Sequence, residues 1–265
     1  MIDKSVLLQY FPAYLRDLNE LQPYLLKEYI QCQILEFLSQ TKYIEHMVLI
    51  GGTNLRLIKH IDRFSEDLDF DCTDMTQTEF MHMTDSILVY LRRLGYQVIP
   101  KEKEHEGLQA FRRSFYFPEL LYTLQFSGYR NARFLIKIEA QDQGYTYPVT
   151  SAFIQSCGFF FPVPVPPDAT LCSMKLSALL QRAKGRDFYD AQFLLSQTAP
   201  DYAYLTSKHN IENLAMLKEA LKERISRVDL KVKQRDFEHL LFQKEKSNMI
   251  LNFPAFIEHY THSGG

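Results

Sequence analysis

The chain has 265 residues, of which 46% are hydrophobic and 23% are charged, and its formal net charge is −2. This composition is typical of a globular protein, and the net charge argues against a uniformly basic nucleic-acid binder. No apolar run is long enough to cross a bilayer, and the N-terminus lacks the cleavage site of a signal peptide, so we expect a cytoplasmic protein with no membrane partner. The four cysteines form no CxxC pair, so neither a zinc site nor a disulfide framework is predicted.

In chain order, apolar periodicity predicts helices and strands that alternate through the N-terminal half. The predicted helices cover 23–40, 53–59 and 77–94, and the predicted strands cover 46–50, 65–71, 109–117, 122–126 and 133–140. Thr53 is expected to cap the second helix, and Gly95 is expected to end the third. We expect the last three strands to be antiparallel neighbours.

The segment FPVPVPP at 161–167 marks the predicted domain boundary, because prolines are excluded from helix interiors and central strands. We therefore predict an N-terminal domain at 1–165 and a helical C-terminal domain at 166–265. The helices expected in the second domain are one that Asp168 or Thr170 caps and that ends at Arg182, one at 187–196, and further helices as far as Tyr260.

Asp67 and Asp69 are the strongest candidates for a metal site. Side chains at i and i+2 on a strand point to the same face, and carboxylate oxygens are the ligands that Mg²⁺ prefers. Asp-rich turns are common, and a solvated loop would also explain the pair. The upstream turn Gly51-Gly52-Thr53 favours the metal site, because a small-residue turn before a helix can present N–H groups to a triphosphate.

The turn and the Asp-x-Asp pair together resemble the signature of the polymerase beta-like nucleotidyltransferase fold, and this resemblance implies a third carboxylate on a neighbouring strand, for which Glu139 is the best candidate. Lys137 and Glu139 alternate with apolar residues in FLIKIEAQ, so they share one strand face. We predict Glu139 to be a metal ligand and a catalytic residue, and Lys137 to contact the nucleotide. Alternatively, Glu139 is an edge-strand residue paired with Lys137 or Arg133, and Asp142 supplies the third acid.

A basic segment, KLSALLQRAKGRDFYD at 175–190, carries the remaining candidates. Lys175 and Arg182 lie at helical spacing and can project together toward a phosphate. We predict Lys175 to be catalytic and Arg182 to bind the nucleotide. A solvated basic face, with Asp187 capping the next helix, would produce the same pattern.

Together these segments resemble the AbiEii/AbiGii family of nucleotidyltransferase toxins from type IV toxin–antitoxin systems, which includes the mycobacterial MenT enzymes. The resemblance lies in GGTNLR at 51–56, RFSEDLDF at 63–70, IKIEA at 136–140 and the basic segment at 175–190. It implies an α/β (α+β) fold, with the mixed sheet and flanking helices of polymerase beta-like nucleotidyltransferases and a helical C-terminal domain.

By matching positions, the resemblance also implies roles for individual residues. Gly51, Gly52 and Thr53 would bind the triphosphate, Arg63 and Ser65 would support the metal-binding turn, and Lys175, Arg186 and Asp190 would form a distal nucleotide-binding element. The implied cofactor is Mg²⁺, the substrates are an NTP and the acceptor end of a transfer RNA, and a cognate antitoxin is a further partner. One departure is Asn54, which follows Thr53 where many members have a small residue.

Seven basic residues between Lys218 and Arg235 offer a surface for RNA, although a salt-bridged exposed helix would show the same pattern. Two other functions fit these motifs: a small-molecule nucleotidyltransferase of the antibiotic-modifying kind, and a catalytically silent RNA-binding or protein-binding module. Retention of three carboxylates argues against the silent module, because buried like charges repel one another without a cation. An acidic acceptor pocket would favour the small-molecule enzyme.

Overall fold

The computed structural model describes residues 2–101 and 110–261, and the chain divides into two compact units. The first unit comprises Met1–His60, Phe64–Gly144 and Val149–Val165, and the second comprises Ile61–Arg63, Tyr145–Pro148 and Pro166–Gly265. None of the described helices is both long and apolar enough to span a membrane.

A mixed five-stranded sheet forms the centre of the first unit, as far as the structure describes it. Its strands are β1 (Met47–Ile50), β2 (Asp67–Cys72), β3 (Ile99–Lys101), β4 (Phe111–Tyr116) and β5 (Leu135–Gln141). Their spatial order is β1-β2-β5-β4-β3, in which β2 and β5 are parallel and the other neighbours are antiparallel. A separate antiparallel hairpin joins β6 (Thr150–Ser156) to β7 (Phe159–Val165).

The helices of the first unit cover the apolar side chains of these strands. They are α1 (Lys4–Gln9), α2 (Ala13–Arg16), α3 (Gln22–Ser39), α4 (Gly51–Leu57), α5 (Gln77–Arg93) and α6 (Leu120–Thr123), with a 3₁₀ helix at Lys42–His46. Helix α5 begins with a capping box, in which Thr76 Oγ1 accepts from Glu79 N and the Glu79 carboxylate accepts from Thr76 N. Ile136 and Ile138 of β5 are fully buried. Because side chains alternate along a strand, Lys137 and Glu139 point to the opposite face.

Helices make up the regular structure described in the second unit. They are α7 (Asp168–Arg182), α8 (Gly185–Leu195), α9 (Tyr202–His209), α10 (Leu214–Ser226), α11 (Leu230–Arg235) and α12 (Phe253–His259), with 3₁₀ helices at Glu238–Leu240 and Lys244–Ile250. Phe188 of α8 and Phe253 of α12 pack edge to face in its core, with ring centroids 5.2 Å apart.

Most predicted elements are confirmed, and three predictions are wrong. Neither Asp168 nor Thr170 caps α7, because the helix already begins at Asp168, after Pro167, and has no side-chain cap. The helix at 53–59 begins earlier, at Gly51, so Thr53 does not cap it and its hydroxyl instead donates to the backbone oxygen of Asp67. The strand predicted at 122–126 is absent, because α6 and the turn after it occupy this segment and bury Leu121 and Leu124. The spacing of three between these apolar residues therefore indicates a helical turn, not a strand.

Two further segments refine the predictions. Of the three strands expected to be antiparallel neighbours, β4 and β5 do pair in this way, and Gln109 at the start of the first lies outside the described residues. The proline-rich segment lies in β7, where Pro162 and Pro164 are tolerated because the strand belongs to a two-stranded sheet rather than to the centre of a larger one.

Gly185 at the start of α8 tests the packing of the helical unit. A Cβ atom there would lie 1.9 Å from the backbone oxygen of Lys233, so Gly185→Ala must move one segment of backbone. We expect a loss of about 1–3 kcal/mol in the free energy of unfolding, measured by urea denaturation. Gly128→Ala is the control, because a Cβ atom there meets nothing within 4 Å. Equal stability of the two variants would show that α8 packs less tightly than described.

Candidate active site

The central feature of the sheet is the register between β2 and β5. Leu68 is buried, so Asp67 and Asp69, on either side of it, point to the other face. The parallel pairing sets Asp67 opposite Lys137 and Asp69 opposite Glu139. The three predicted metal-binding acids therefore share one face of two adjacent strands, and the edge-strand alternative for Glu139 is wrong because β5 lies between β2 and β4.

Basic side chains lie between and beside these acids. Lys137 Nζ lies 3.0 Å from Asp67 Oδ2 and 2.6 Å from Glu139 Oε1. Arg112, opposite Glu139 on β4, brings its Nε to 2.8 Å from Oε1, and its Nη2 donates to Oε2 at 3.1 Å. Glu139 therefore pairs with Lys137, as the edge-strand alternative expected. It also lies on the same face as the two aspartates.

These contacts shift the pKa values of both partners. Burial alone would lower the pKa of Lys137, but its contacts with Glu139 and Asp67 outweigh burial and raise it. Burial alone would raise the pKa of Glu139, but Lys137 and then Arg112 lower it. Both side chains are therefore ionised at neutral pH, and Glu139 is better suited to bind a cation than to accept a proton.

The glycine turn lies directly against Asp69. Gly51 has a φ of 72°, and a Cβ atom on it would lie 2.2 Å from Asp69 Oδ2. A side chain at this position would be strained and would also clash with the carboxylate, so both the conformation and the close approach require glycine. The Gly51 backbone thus reaches an acid that lies far from it in sequence.

Thr53 and Ser65 connect this turn to the start of β2. Thr53 Oγ1 lies 2.5 Å from the Asp67 backbone oxygen, to which it donates, and 3.0 Å from Ser65 Oγ. Thr53 is fully buried and Ser65 nearly so. Their contacts stabilise the position of Asp67, and the triphosphate contacts predicted for Gly51, Gly52 and Thr53 stay predictions.

Lys27 is a site residue that the sequence reasoning missed. It projects from α3 and lies 3.7 Å from Glu66, next to Asp67 in the chain. Burial lowers its pKa, whereas Glu66 and Asp67 act to raise it and Lys137 to lower it further. The periodicity of apolar residues predicted that α3 is a helix with one buried face. No motif indicated that Lys27, on this helix, lies near the acids.

A second cluster of predicted residues lies inside the helical unit. Arg63 donates to Asp190 through Nε at 2.7 Å and Nη2 at 2.6 Å, and Lys175 Nζ lies 2.9 Å from Asp190 Oδ2. All three side chains are buried, and an isolated β-bridge to Leu241 also ties Arg63 to this unit. Burial would raise the pKa of Asp190, but Arg63 and Lys175 lower it to about 2.

Lys175 differs from an ordinary surface lysine. Burial lowers its pKa, and the attraction of Asp190 opposes this effect while Arg63 adds to it. Arg182 does not share a target with Lys175, because its guanidinium pairs with Asp187 at 2.9 Å. Asp187 also accepts from Lys184 N, as the helix-capping alternative predicted. Arg186 is half-buried on the first turn of α8.

The chemistry of the β2–β5 face fits a divalent cation. Asp67, Asp69 and Glu139 supply carboxylate oxygens, and Glu139 Oε1 is buried without a hydrogen-bond partner in the described part of the chain. As arranged, no three acidic, histidine or cysteine side chains in that part are gathered closely enough to hold an ion. The donors are thus appropriate for a metal, and Lys137 lies between two of them.

A mixed sheet with two aspartates on one strand, a glutamate in register on its parallel neighbour and a glycine turn against the acids is characteristic of nucleotidyltransferases. A family model described as nucleotidyl transferase AbiEii toxin, type IV TA system, matches residues 33–261. The chain therefore belongs to the AbiEii family of nucleotidyltransferase toxins, which confirms the resemblance seen in the motifs. Membership on the toxin side of such a system implies an antitoxin partner.

Solved structures support the fold. The chain is similar to JHP933 from Helicobacter pylori, with a TM-score of 0.52 and 20% identity over 89% of this chain and 90% of that one. It is also similar to MenT4, a nucleotidyltransferase toxin from Mycobacterium tuberculosis, with a TM-score of 0.52 and 18% identity over 97% and 99% of the two chains. These similarities confirm the predicted mixed α/β fold. No curated protein matches the sequence.

The buried cluster predicts a pH-dependent stability. Because the pKa of Asp190 is lower in the folded chain than its ordinary value, the stabilisation is complete above about pH 4 and is lost as the pH falls toward 2. Asp190→Asn leaves two buried cations without their anion, so we expect a loss of about 3–5 kcal/mol at pH 7. The difference in the free energy of unfolding between Asp190→Asn and wild type should become smaller at acidic pH.

Urea denaturation at pH 7 and pH 3 measures this effect. Glu219→Gln, which neutralises an exposed carboxylate on α10 of the same unit, is the control and should change stability by less than about 0.5 kcal/mol. A difference between wild type and Asp190→Asn that is the same at both pH values would contradict the ionised state assigned to Asp190.

Proposed function

We propose that the chain transfers a nucleotidyl group from an NTP to the acceptor end of a transfer RNA, and that the reaction requires Mg²⁺. The observation that carries the metal-dependent chemistry is the register that sets Asp69 opposite Glu139 on the face that also holds Asp67. We expect the enzyme to act in the cytoplasm, where both substrates are available.

In this mechanism Asp67, Asp69 and Glu139 would hold the Mg²⁺ ion. When bound, Mg²⁺ would neutralise the charge of the triphosphate and would lower the pKa of the attacking hydroxyl. The acceptor hydroxyl loses its proton to solvent as its oxygen attacks the α-phosphorus, the bond from the α-phosphorus to the bridging oxygen breaks, and pyrophosphate leaves with the electron pair. Gly51 allows the backbone to approach the acids closely, which supports a role for this turn in orienting the triphosphate.

Basic side chains near the acids support triphosphate binding. Lys27 and Lys137 both lie beside Asp67, and Arg112 lies beside Glu139. Cations at such positions favour the phosphates of an NTP over a neutral ligand. The buried contacts of Lys175 and Asp190 favour a positioning role for both residues. Arg182 is half-exposed and its guanidinium pairs with Asp187.

The proposal of an RNA acceptor rests on family membership and on the basic surface of α10 and α11. Several of these basic residues make local contacts: Lys222 pairs with Glu258, Arg227 pairs with Glu223, and Arg224 donates to a backbone oxygen. Lys231 and Arg235 are exposed on α11. The salt-bridged alternative therefore describes part of this surface, and the exposed residues of α11 are the better candidates for phosphate contacts.

Replacement of one metal-binding acid tests the chemistry. We expect Asp69→Asn to lower transfer of label from α-labelled NTPs by more than about 100-fold, because a ligand of the charge-neutralising ion is lost. Asp74→Asn is the matched control, since Asp74 is exposed at a φ of 55°, a conformation that asparagine tolerates. Equal labelling by wild type and Asp69→Asn would refute the role of Asp69.

The same assay identifies the metal and the acceptor. EDTA should abolish transfer and excess Mg²⁺ should restore it, because carboxylates bind hard divalent ions reversibly. Each of the four NTPs is offered separately with purified transfer RNA or with an amino-sugar panel. Labelling of amino sugars alone would favour the small-molecule enzyme, and labelling of no acceptor with any NTP would favour the silent module.

A further inference from the structure

Lys137 is positioned where a cation would bind between the carboxylates of β2 and β5. We infer that Lys137 competes with the divalent metal: its ammonium holds Asp67 and Glu139 together in the metal-free enzyme, and a metal ion binds by displacing it. This inference rests on the proposed metal-dependent function. It makes Lys137 a residue that sets metal affinity and explains why the acids are stable side by side without an ion.

The geometry of Lys137 supports this role. Its Nζ contacts one oxygen of Asp67 at 3.0 Å and one oxygen of Glu139 at 2.6 Å, so a single ammonium joins acids on two strands. The contact follows from the register, because Asp67 lies directly opposite Lys137 and Glu139 follows two residues later on the same face. A cation bound by the same two oxygens would have to occupy nearly the same place.

The unsatisfied oxygen of Glu139 indicates that a different cation would bind better. Lys137 and Arg112 nitrogens both lie within ion-pairing distance of Oε1, yet neither is oriented to give this buried atom a well-aligned hydrogen bond. The two contacts are therefore electrostatic and poorly directed. A divalent ion has no directional donor to align, so it can satisfy Oε1 where the ammonium does not.

Displacement is favoured over coexistence for two reasons. An ammonium and a dication that share the same oxygens would repel each other strongly in a half-buried site. Lys137 can also leave at low cost, because its side chain is 27% exposed and its flexible stem can carry the charge to solvent. Arg112 remains paired with Oε2 of Glu139. The displaced ammonium then stays beside the site, where it can contact a phosphate of the NTP.

Metal affinity measured without nucleotide tests the competition. Isothermal titration with Mn²⁺, used in place of Mg²⁺, compares wild type with Lys137→Met, Lys137→Arg and Lys42→Met. We expect Lys137→Met to bind Mn²⁺ at least about tenfold more tightly, because the metal no longer displaces a cation. Lys137→Arg keeps a positive charge and should remain near wild type. Lys42→Met removes an exposed lysine of the same unit and should have no effect.

The outcomes separate this inference from the proposed function. Binding of Mn²⁺ by wild type with equal or weaker affinity in Lys137→Met would overturn the inference and leave metal dependence intact. Absence of Mn²⁺ binding in wild type and in every variant would overturn both. Tighter binding in Lys137→Met and Lys137→Arg alike would also overturn it, since loss of the positive charge would not be the cause.

A measurement on the wild-type chain avoids any folding defect of the variants. Reductive methylation of lysine amines, followed by mass spectrometry, reports how accessible each ammonium is. We expect Lys137 to react several-fold faster when Mn²⁺ is present, because displacement frees its nitrogen from two carboxylates. Lys42 should react at the same rate in both conditions. An unchanged or slower reaction of Lys137 in saturating Mn²⁺ would show that the metal does not displace it.

Discussion

The parallel pairing of β2 with β5 is the constraint on which the site depends. It sets Asp69 opposite Glu139 and Asp67 opposite Lys137, and the antiparallel pairing with β4 adds Arg112 beside Glu139. A slip of one residue would turn Glu139 toward the apolar face that Ile136 and Ile138 occupy. Burial of these isoleucines therefore determines which acids can act together.

The helical unit has a comparable constraint in the buried carboxylate of Asp190. Two basic side chains, one from α7 and one from the Ile61–Arg63 segment, contact it from within the same unit. Removing Asp190 would leave both buried cations without an anion, whereas removing either cation would leave Asp190 with one remaining partner. The pKa of Lys175 is lowered chiefly by burial, and repulsion by Arg63 adds to this effect while Asp190 opposes it.

The sequence predicted which strand face the motif acids occupy, but it did not predict most of the partners of these acids. Alternation in β2 and β5 was enough to place Asp67, Asp69 and Glu139 on one kind of face, because a strand has a period of two. The ion pair between Lys137 and Asp67 depends on strand register, which a single sequence does not encode locally. Lys27 was missed for the same reason: its neighbours come from a distant strand.

The ion pairs of Lys137 and Arg112 weaken the argument that three neighbouring carboxylates must bind a metal. Like-charge repulsion was a reason to expect a metal, but Lys137 and Arg112 already offset the charge of Glu139, and Lys137 that of Asp67. Repulsion alone therefore does not distinguish an enzyme from a silent fold. Gly51 is a separate observation, because its φ of 72° and its approach to Asp69 hold the glycine turn directly against an acid, as the proposed triphosphate site would require.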